Sequence, residues 1–210
     1  MLKYLFIILA YLIGSIPFSY ILGKYIKKDD IRKHGSGNLG TTNAFRVFGA
    51  FIGISVLILD TLKSGLFILF IQHTNIFDGV EMFPSIIYGA VAVIGHVFPI
   101  WMKFKGGKGV ASAFGVLLFY YWPLAVCLLP VFLLTLKISK YASLASTVAT
   151  TLSFIVGLIL YLIGFREELF NLLFVITTGL MMIIILFKHQ SNFRRIIDGN
   201  ENRVNFRKKT

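Results

Sequence analysis

Seven apolar runs, at about residues 4–23, 51–72, 84–102, 110–122, 123–137, 143–164 and 169–187, alternate with short polar intervals along the chain. A helix of roughly 20 apolar residues crosses the hydrocarbon core of a bilayer, so most of these runs read as membrane-spanning helices. The fourth and fifth are less regular. Together they fill residues 110–137, too long for one comfortable crossing and short for two, with Trp122-Pro123 where a turn fits.

The distribution of basic residues decides between one crossing and two, because cytoplasmic loops collect Lys and Arg. Two crossings give seven spans and put eighteen Lys and Arg on one side, against only Lys3 and Arg166 on the other. A single crossing would leave ten against ten. The expected fold is therefore all-α: an integral membrane bundle of seven transmembrane helices, N-terminus outside and C-terminus cytoplasmic, forming a single domain over residues 1–210. The basic tail after Lys188 suits an anionic inner leaflet.

Composition agrees. Hydrophobic residues make up 57% of the 210, Phe (21) and Tyr (9) are abundant, and the mean hydropathy is +0.81, far above soluble norms. The net charge of +12 sits in the polar intervals. The lone cysteine, Cys127, excludes an intrachain disulfide and reads as a small buried hydrophobe. The first run has an apolar core of about 20 residues and no A-x-A site, so it reads as a retained helix rather than a cleaved signal.

Two of the polar intervals carry chemistry: GSGNLGTTNAFR (Gly35–Arg46) and KFKGGKGVAS (Lys103–Ser112). Glycines let backbone N–H groups approach an anion, while Ser36, Arg46, Lys105 and Lys108 add hydrogen bonds and charge. The charge count places both on the cytoplasmic face, next to spans. Gly35, Gly37 and Gly40 satisfy G-x-G-x-x-G, but the flanking strands of a dinucleotide fold are missing. Lys108 is followed by glycine rather than Ser or Thr, which rejects a Walker P-loop. His73 and Asp78 form an H-x-x-x-x-D pattern, yet in an outer loop, across the bilayer from every phosphate-binding candidate. Within the second span Asp60 and Lys63, three residues apart, are expected to form an ion pair of structural rather than substrate-binding role, and His96 a hydrogen bond within the bundle.

The motifs as a set resemble the bacterial acyl-phosphate:glycerol-3-phosphate acyltransferase family of the PlsY type. GSIPFSYILGK (Gly14–Lys24) is similar to its first-helix signature, the Gly35–Arg46 segment to its first cytoplasmic motif, and GHVFPIWMKFKGGKGVAS (Gly95–Ser112) to its second. YASLAST (Tyr141–Thr147) and KHQSNFRRIIDGNE (Lys188–Glu201) resemble its remaining blocks, in order. Thr41 stands where the family often has alanine, and Gln190 where arginine is common.

The resemblance implies transfer of a fatty acyl group from acyl phosphate to the 1-hydroxyl of glycerol 3-phosphate in the bacterial cytoplasmic membrane, giving lysophosphatidic acid and phosphate. It implies no cofactor, no metal and no nucleic acid partner. The partners are the two substrates, the lipid bilayer and, by family analogy, the soluble enzyme that makes acyl phosphate. On this reading Ser36, Arg46 and one of Lys105 or Lys108 hold the acceptor phosphate. Gly37 belongs to the same cradle, and Gly106, Gly107 and Gly109 offer backbone N–H groups. Ser143 or Ser146 adds a hydroxyl contact, and Asn38, His189 and Asn192 position the glycerol. The proton goes either to the acceptor's own phosphate or to His189, the candidate catalytic residue; the first route is favoured because neither glycine-rich segment holds an Asp or Glu to orient a histidine.

Two other classes are weighed against this one. An organic-anion transporter predicts paired halves and access from both faces. A metal-dependent phosphotransferase needs clustered inner carboxylates, which Asp29 and Asp30 alone do not make.

Overall fold

The structure, a computed structural model, describes residues 1–73 and 80–204, His73 by its main chain only. The His73 and Asp78 pattern therefore lies outside the described side chains. Among the described residues all regular elements are helical, as a bilayer demands of a chain that must satisfy its own backbone groups. Two compact units divide at 122/123.

In the first unit, α1 (Leu2–Gly14) breaks at Ser15–Pro17, where Pro17 has no N–H to continue the ladder. The chain resumes as α2 (Phe18–Leu22) and a π turn, Gly23–Lys27, bent by 40° from α1. A short helix that the apolar pattern did not announce, α3 (Thr41–Phe48), follows the first glycine-rich segment. Next come α4 (Ala50–His73), α5 (Ser85–Val97) with a 3₁₀ turn at Ile100–Met102, and α6 (Val110–Tyr120). Small residues let these helices approach closely, as in membrane bundles generally. A Cβ on Gly115 of α6 would collide with the Thr61 carbonyl of α4, and one on Gly14 of α1 with the Ala92 carbonyl of α5. Hydroxyls lock α4 to α6: Ser64 Oγ donates to Ser112 O (2.8 Å) and Ser112 Oγ to Asp60 O (3.2 Å).

The second unit holds α7 (Trp122–Ser139, assigned to it from Pro123), α8 (Ala142–Leu162), α9 (Leu172–Lys188) and α10 (Gln190–Ile197). Gly157 of α8 receives the Phe174 ring of α9, and Asn171 caps α9 by accepting the Phe174 N–H at 3.0 Å. Cys127 is exposed on α7, not buried as its apolar setting suggested. Its neighbours Val126 and Leu129 are exposed too, so the apolar surroundings are those of a lipid-facing surface.

Each of the seven apolar runs meets a helix, but the helices differ in reach. Among the described residues, α4, α5 with its 3₁₀ extension, α7 and α8 are long and apolar enough to cross a membrane; counting α1 with α2 and α9 with α10 as bent spans gives six. At 11 residues α6 is about 16 Å long at ~1.5 Å per residue, shorter than a hydrocarbon core of about 30 Å.

Candidate active site

The first glycine-rich segment is organised around a residue outside the expected site. Asn43, on α3, is buried, and its Oδ1 accepts the Ser36 N–H at 3.0 Å. Its Nδ2 donates to Asn38 O (3.0 Å) and His34 O (3.2 Å). One amide thus gathers both sides of the loop. Gly35 and Gly37 take φ of 61° and 68°, a region that costs an L-residue about 1 kcal/mol or more; a Cβ on Gly35 would also strike Asn43 Oδ1. Asn38 Oδ1 accepts the Gly40 N–H (3.1 Å), closing an Asx turn at the start of α3. Ser19 of α2 anchors the loop from below, its Oγ donating to Leu39 O at 2.6 Å. Ser36 and Arg46 remain exposed. Just before the loop, hydrogen bonds from the Arg32 side chain hold the Asp30 carboxyl down at about 2.

The second segment folds back on the end of α5. Lys103 and Phe104 both take left-handed φ, 51° and 60°, which reverses the chain. Gly106 N–H then donates to Val97 O (3.3 Å) and Gly107 N–H to His96 O (3.1 Å). The two amides, expected to face an anion, are thus engaged with the end of α5. What the two glycines supply is proximity, since a Cβ on Gly106 would strike His96 O and one on Gly107 the His96 ring. Gly109, φ 85°, starts α6; Lys105 is exposed and Lys108 half-buried.

The two segments share one end of the first unit. Leu39 and Ala44 form a cluster with Ile31, Ile52 and Val56, and Met102, next to the second segment, packs against it. Leu39, Gly106 and Gly107 also line one recess with Ser15, Pro17, Asp60, Lys63 and His96. There the expected ion pair is present: Lys63 Nζ lies 2.7 Å from Asp60 Oδ1, both side chains buried. Lys63 also donates to Ile16 O (2.9 Å) and approaches His96 Nδ1 at 3.0 Å. The same Nδ1 lies 3.5 Å from Asp60 Oδ1, so Asp60, Lys63 and His96 form one buried cluster. The expected bundle hydrogen bond of His96 is thus made. Removing one partner of such a buried pair costs about 3–5 kcal/mol.

In the second unit His189 is buried between α9 and α10, its Nδ1–H donating to Ile185 O at 2.8 Å. Ser143 Oγ (3.2 Å) and Asn192 Nδ2 (2.7 Å) both donate to Glu201 Oε1, while Arg195 Nε donates to Oε2 at 2.8 Å. Burial alone would raise the Glu201 pKa, but the hydrogen bonds from Asn192 and Arg195 outweigh it and hold it below the usual carboxylate range. Glu201 and Asn43 are the organising residues that sequence reasoning missed, although both stand inside the quoted motifs. Ser146 Oγ donates back along α8 to Ala142 O (2.8 Å), so of the two serine candidates only Ser143 reaches the Asn192 cluster.

Known proteins are similar to this chain along nearly its whole length. A model of the family described as glycerol-3-phosphate acyltransferase matches residues 4–199. A glycerol-3-phosphate acyltransferase of Thermotoga petrophila is 41% identical over 210 residues, covering 98% of each chain. One of Bacillus subtilis is 43% identical over 206 residues, covering 97% of this chain and 98% of its own. Among solved structures, PlsY (YgiH), an integral membrane glycerol 3-phosphate acyltransferase crystallised in its glycerol 3-phosphate form, superposes with a TM-score of 0.83 at 32% identity, covering 98% of this chain and 96% of that one. Its lysophosphatidic acid form gives 0.79 at 31%. A matched family model across both compact units, and these relatives along nearly their whole length, establish that the chain belongs to the glycerol-3-phosphate acyltransferase family of the PlsY type and is an integral membrane acyltransferase.

Proposed function

We propose that the enzyme transfers a fatty acyl group from acyl phosphate to the 1-hydroxyl of glycerol 3-phosphate, giving lysophosphatidic acid and phosphate, as the first acylation of bacterial phospholipid synthesis. The observation that carries this reading is that two glycine-rich basic segments share one end of the first unit, joined through one apolar cluster, in a chain similar to a PlsY crystallised in its glycerol 3-phosphate form. Seven crossings, with the N-terminus outside and the C-terminus in the cytoplasm of the bacterial cytoplasmic membrane, put these segments beside the inner leaflet; the asymmetry of Lys and Arg supports that orientation. Residues 1–210 act as one enzyme domain, consistent with a family match that runs through both units. A long acyl chain contributes about 0.8 kcal/mol per buried CH₂, so the donor rests with its tail in lipid and its phosphate at the interface.

The acceptor oxygen attacks the acyl carbon, the bond from that carbon to the phosphate oxygen breaks, and inorganic phosphate leaves. A mixed anhydride needs no covalent enzyme intermediate, and positioning with charge stabilisation supplies the acceleration. Ser36, Arg46 and Lys105 or Lys108 hold the acceptor phosphate within a cradle shaped by Gly37 and Gly109; Asn38, Asn192 and Ser143 or Ser146 orient the glycerol. The hydroxyl proton passes to the acceptor's phosphate. A second route, through His189, is favoured by one observation: with Nδ1–H bonded to Ile185 O, a main-chain oxygen does the orienting that no carboxylate was available to do, and Nε2 bears the lone pair. A complex with the soluble acyl-phosphate synthase would shorten the donor's path.

Purified protein incubated with acyl phosphate and labelled glycerol 3-phosphate tests the reading. Lysophosphatidic acid formed with and without chelator is the expected result. Absence of product, or product only with added divalent metal, contradicts it.

A further inference from the structure

The Lys63 ammonium makes one ion pair and two hydrogen-bond contacts, reaching three separate parts of the first unit. Asp60 Oδ1 (2.7 Å) belongs to α4 itself. Ile16 O (2.9 Å) lies in the break between α1 and α2, one residue before Pro17. The helix that follows carries Ser19, which holds Leu39 of the first glycine-rich loop, and Phe18, whose ring lies 5.5 Å from the Lys63 ammonium. His96 Nδ1 (3.0 Å) closes α5; its carbonyl accepts the Gly107 N–H of the second loop, and its ring fills the place a Gly107 side chain would take.

We propose that Lys63 is a positioning residue for acceptor binding, one buried cation that fixes the separation of the two phosphate-cradling loops by holding Ile16 on one side and His96 on the other. A salt bridge serving stability alone needs no such reach, because well-packed apolar replacements of buried pairs are often neutral or stabilising. The partners of Lys63 lie outside both loops. Its effect passes through Ser19 to Leu39 and through His96 to Gly107, so its loss loosens both loops together and weakens recognition of the phosphate more than chemistry on bound substrate.

The inference rests on the proposed acyl transfer, and the test separates the two. Full-length wild type and the charge-balanced variant Asp60→Asn/Lys63→Met are compared in nanodiscs by steady-state kinetics and by amide hydrogen exchange. The expected result is a KM for glycerol 3-phosphate raised tenfold or more with kcat within threefold, and faster exchange in residues 34–47 and 96–110 together, with residues 142–188 unchanged. A KM within twofold of wild type, or loosening of one loop alone, overturns the proposal, as does a fall in kcat at unchanged KM. Should the double variant not fold, Lys63→Arg replaces it: a planar guanidinium cannot meet the same three partners, and an unchanged KM in that folded variant overturns the proposal equally. If wild type forms no lysophosphatidic acid, acyl transfer itself fails, and the exchange pattern alone decides the role of Lys63.

Discussion

The imidazole of His189 and the carbonyl of Ile185, one helical turn earlier, are joined by a 2.8 Å hydrogen bond in which Nδ1 donates. The bond fixes which nitrogen holds the proton of the neutral ring, so Nε2 is the basic atom. For His189→Ala, proton transfer to the acceptor's own phosphate predicts a KM for glycerol 3-phosphate that rises more than kcat falls. A general-base role predicts the reverse, a kcat lower by about 10²–10⁴ at unchanged KM. Steady-state kinetics at several pH values distinguish them.

Asn43 satisfies the main chain on both sides of the first loop. Asn43→Ala leaves those buried groups without partners and is expected to lower stability by about 1–3 kcal/mol, with weaker acceptor binding because Ser36 loses its anchor. Thermal unfolding and the acceptor KM, measured on the same preparation, check both. A variant as stable and as tightly binding as wild type would show that the loop does not depend on this amide.

Much of the architecture was legible in the sequence, and the exceptions have physical causes. All seven apolar runs coincide with helices, because burial in lipid demands long apolar stretches. The short helices α3 and α10 escaped notice: they carry their polar residues at helical spacing in segments where hydropathy alone registers only a loop. Composition marks Gly106 and Gly107 as open to close approach by an anion, and the structure packs His96 against both. Composition marks a glycine as permissive but does not name its neighbour. Asn43 and Glu201 were invisible as organisers for the same reason, since their partners are mostly main-chain groups or residues distant along the chain.

Helix packing makes a sharp contrast between two glycines. Gly115→Ala puts a methyl group into the Thr61 carbonyl and should force α6 off α4, lowering stability by about 1–3 kcal/mol. Gly40→Ala meets only Asn38 Oδ1, at an ordinary 3.6 Å, and its φ of −91° with ψ of 163° suits any residue, so the change should cost little. Unfolding temperatures in one detergent should rank the variants in that order. Equal temperatures would mean that α6 is not held tightly against α4.

Glu201 gives the tail a pH response of defined sign. Its folded-state pKa lies below the ordinary glutamate value, so its stabilisation is fully present above about pH 4.5 and fades as acid protonates it through the lower folded value. Hydrogen exchange in residues 190–201 of wild type should therefore rise on acidification below about pH 4.5, after correction for intrinsic rates. Glu201→Gln should show raised exchange already at neutral pH and no further acid step. An identical acid step in both proteins would assign the response to another group.

The central claim is that two segments far apart in sequence form one phosphate site on the cytoplasmic face. Single cysteines at the exposed positions Thr42 and Lys105, introduced in a Cys127→Ser background, test it most directly. Labelled with a membrane-impermeant thiol reagent in sealed vesicles of known orientation, both should react from the cytoplasmic side and neither from the other. Reaction of the two positions from opposite sides would contradict the account.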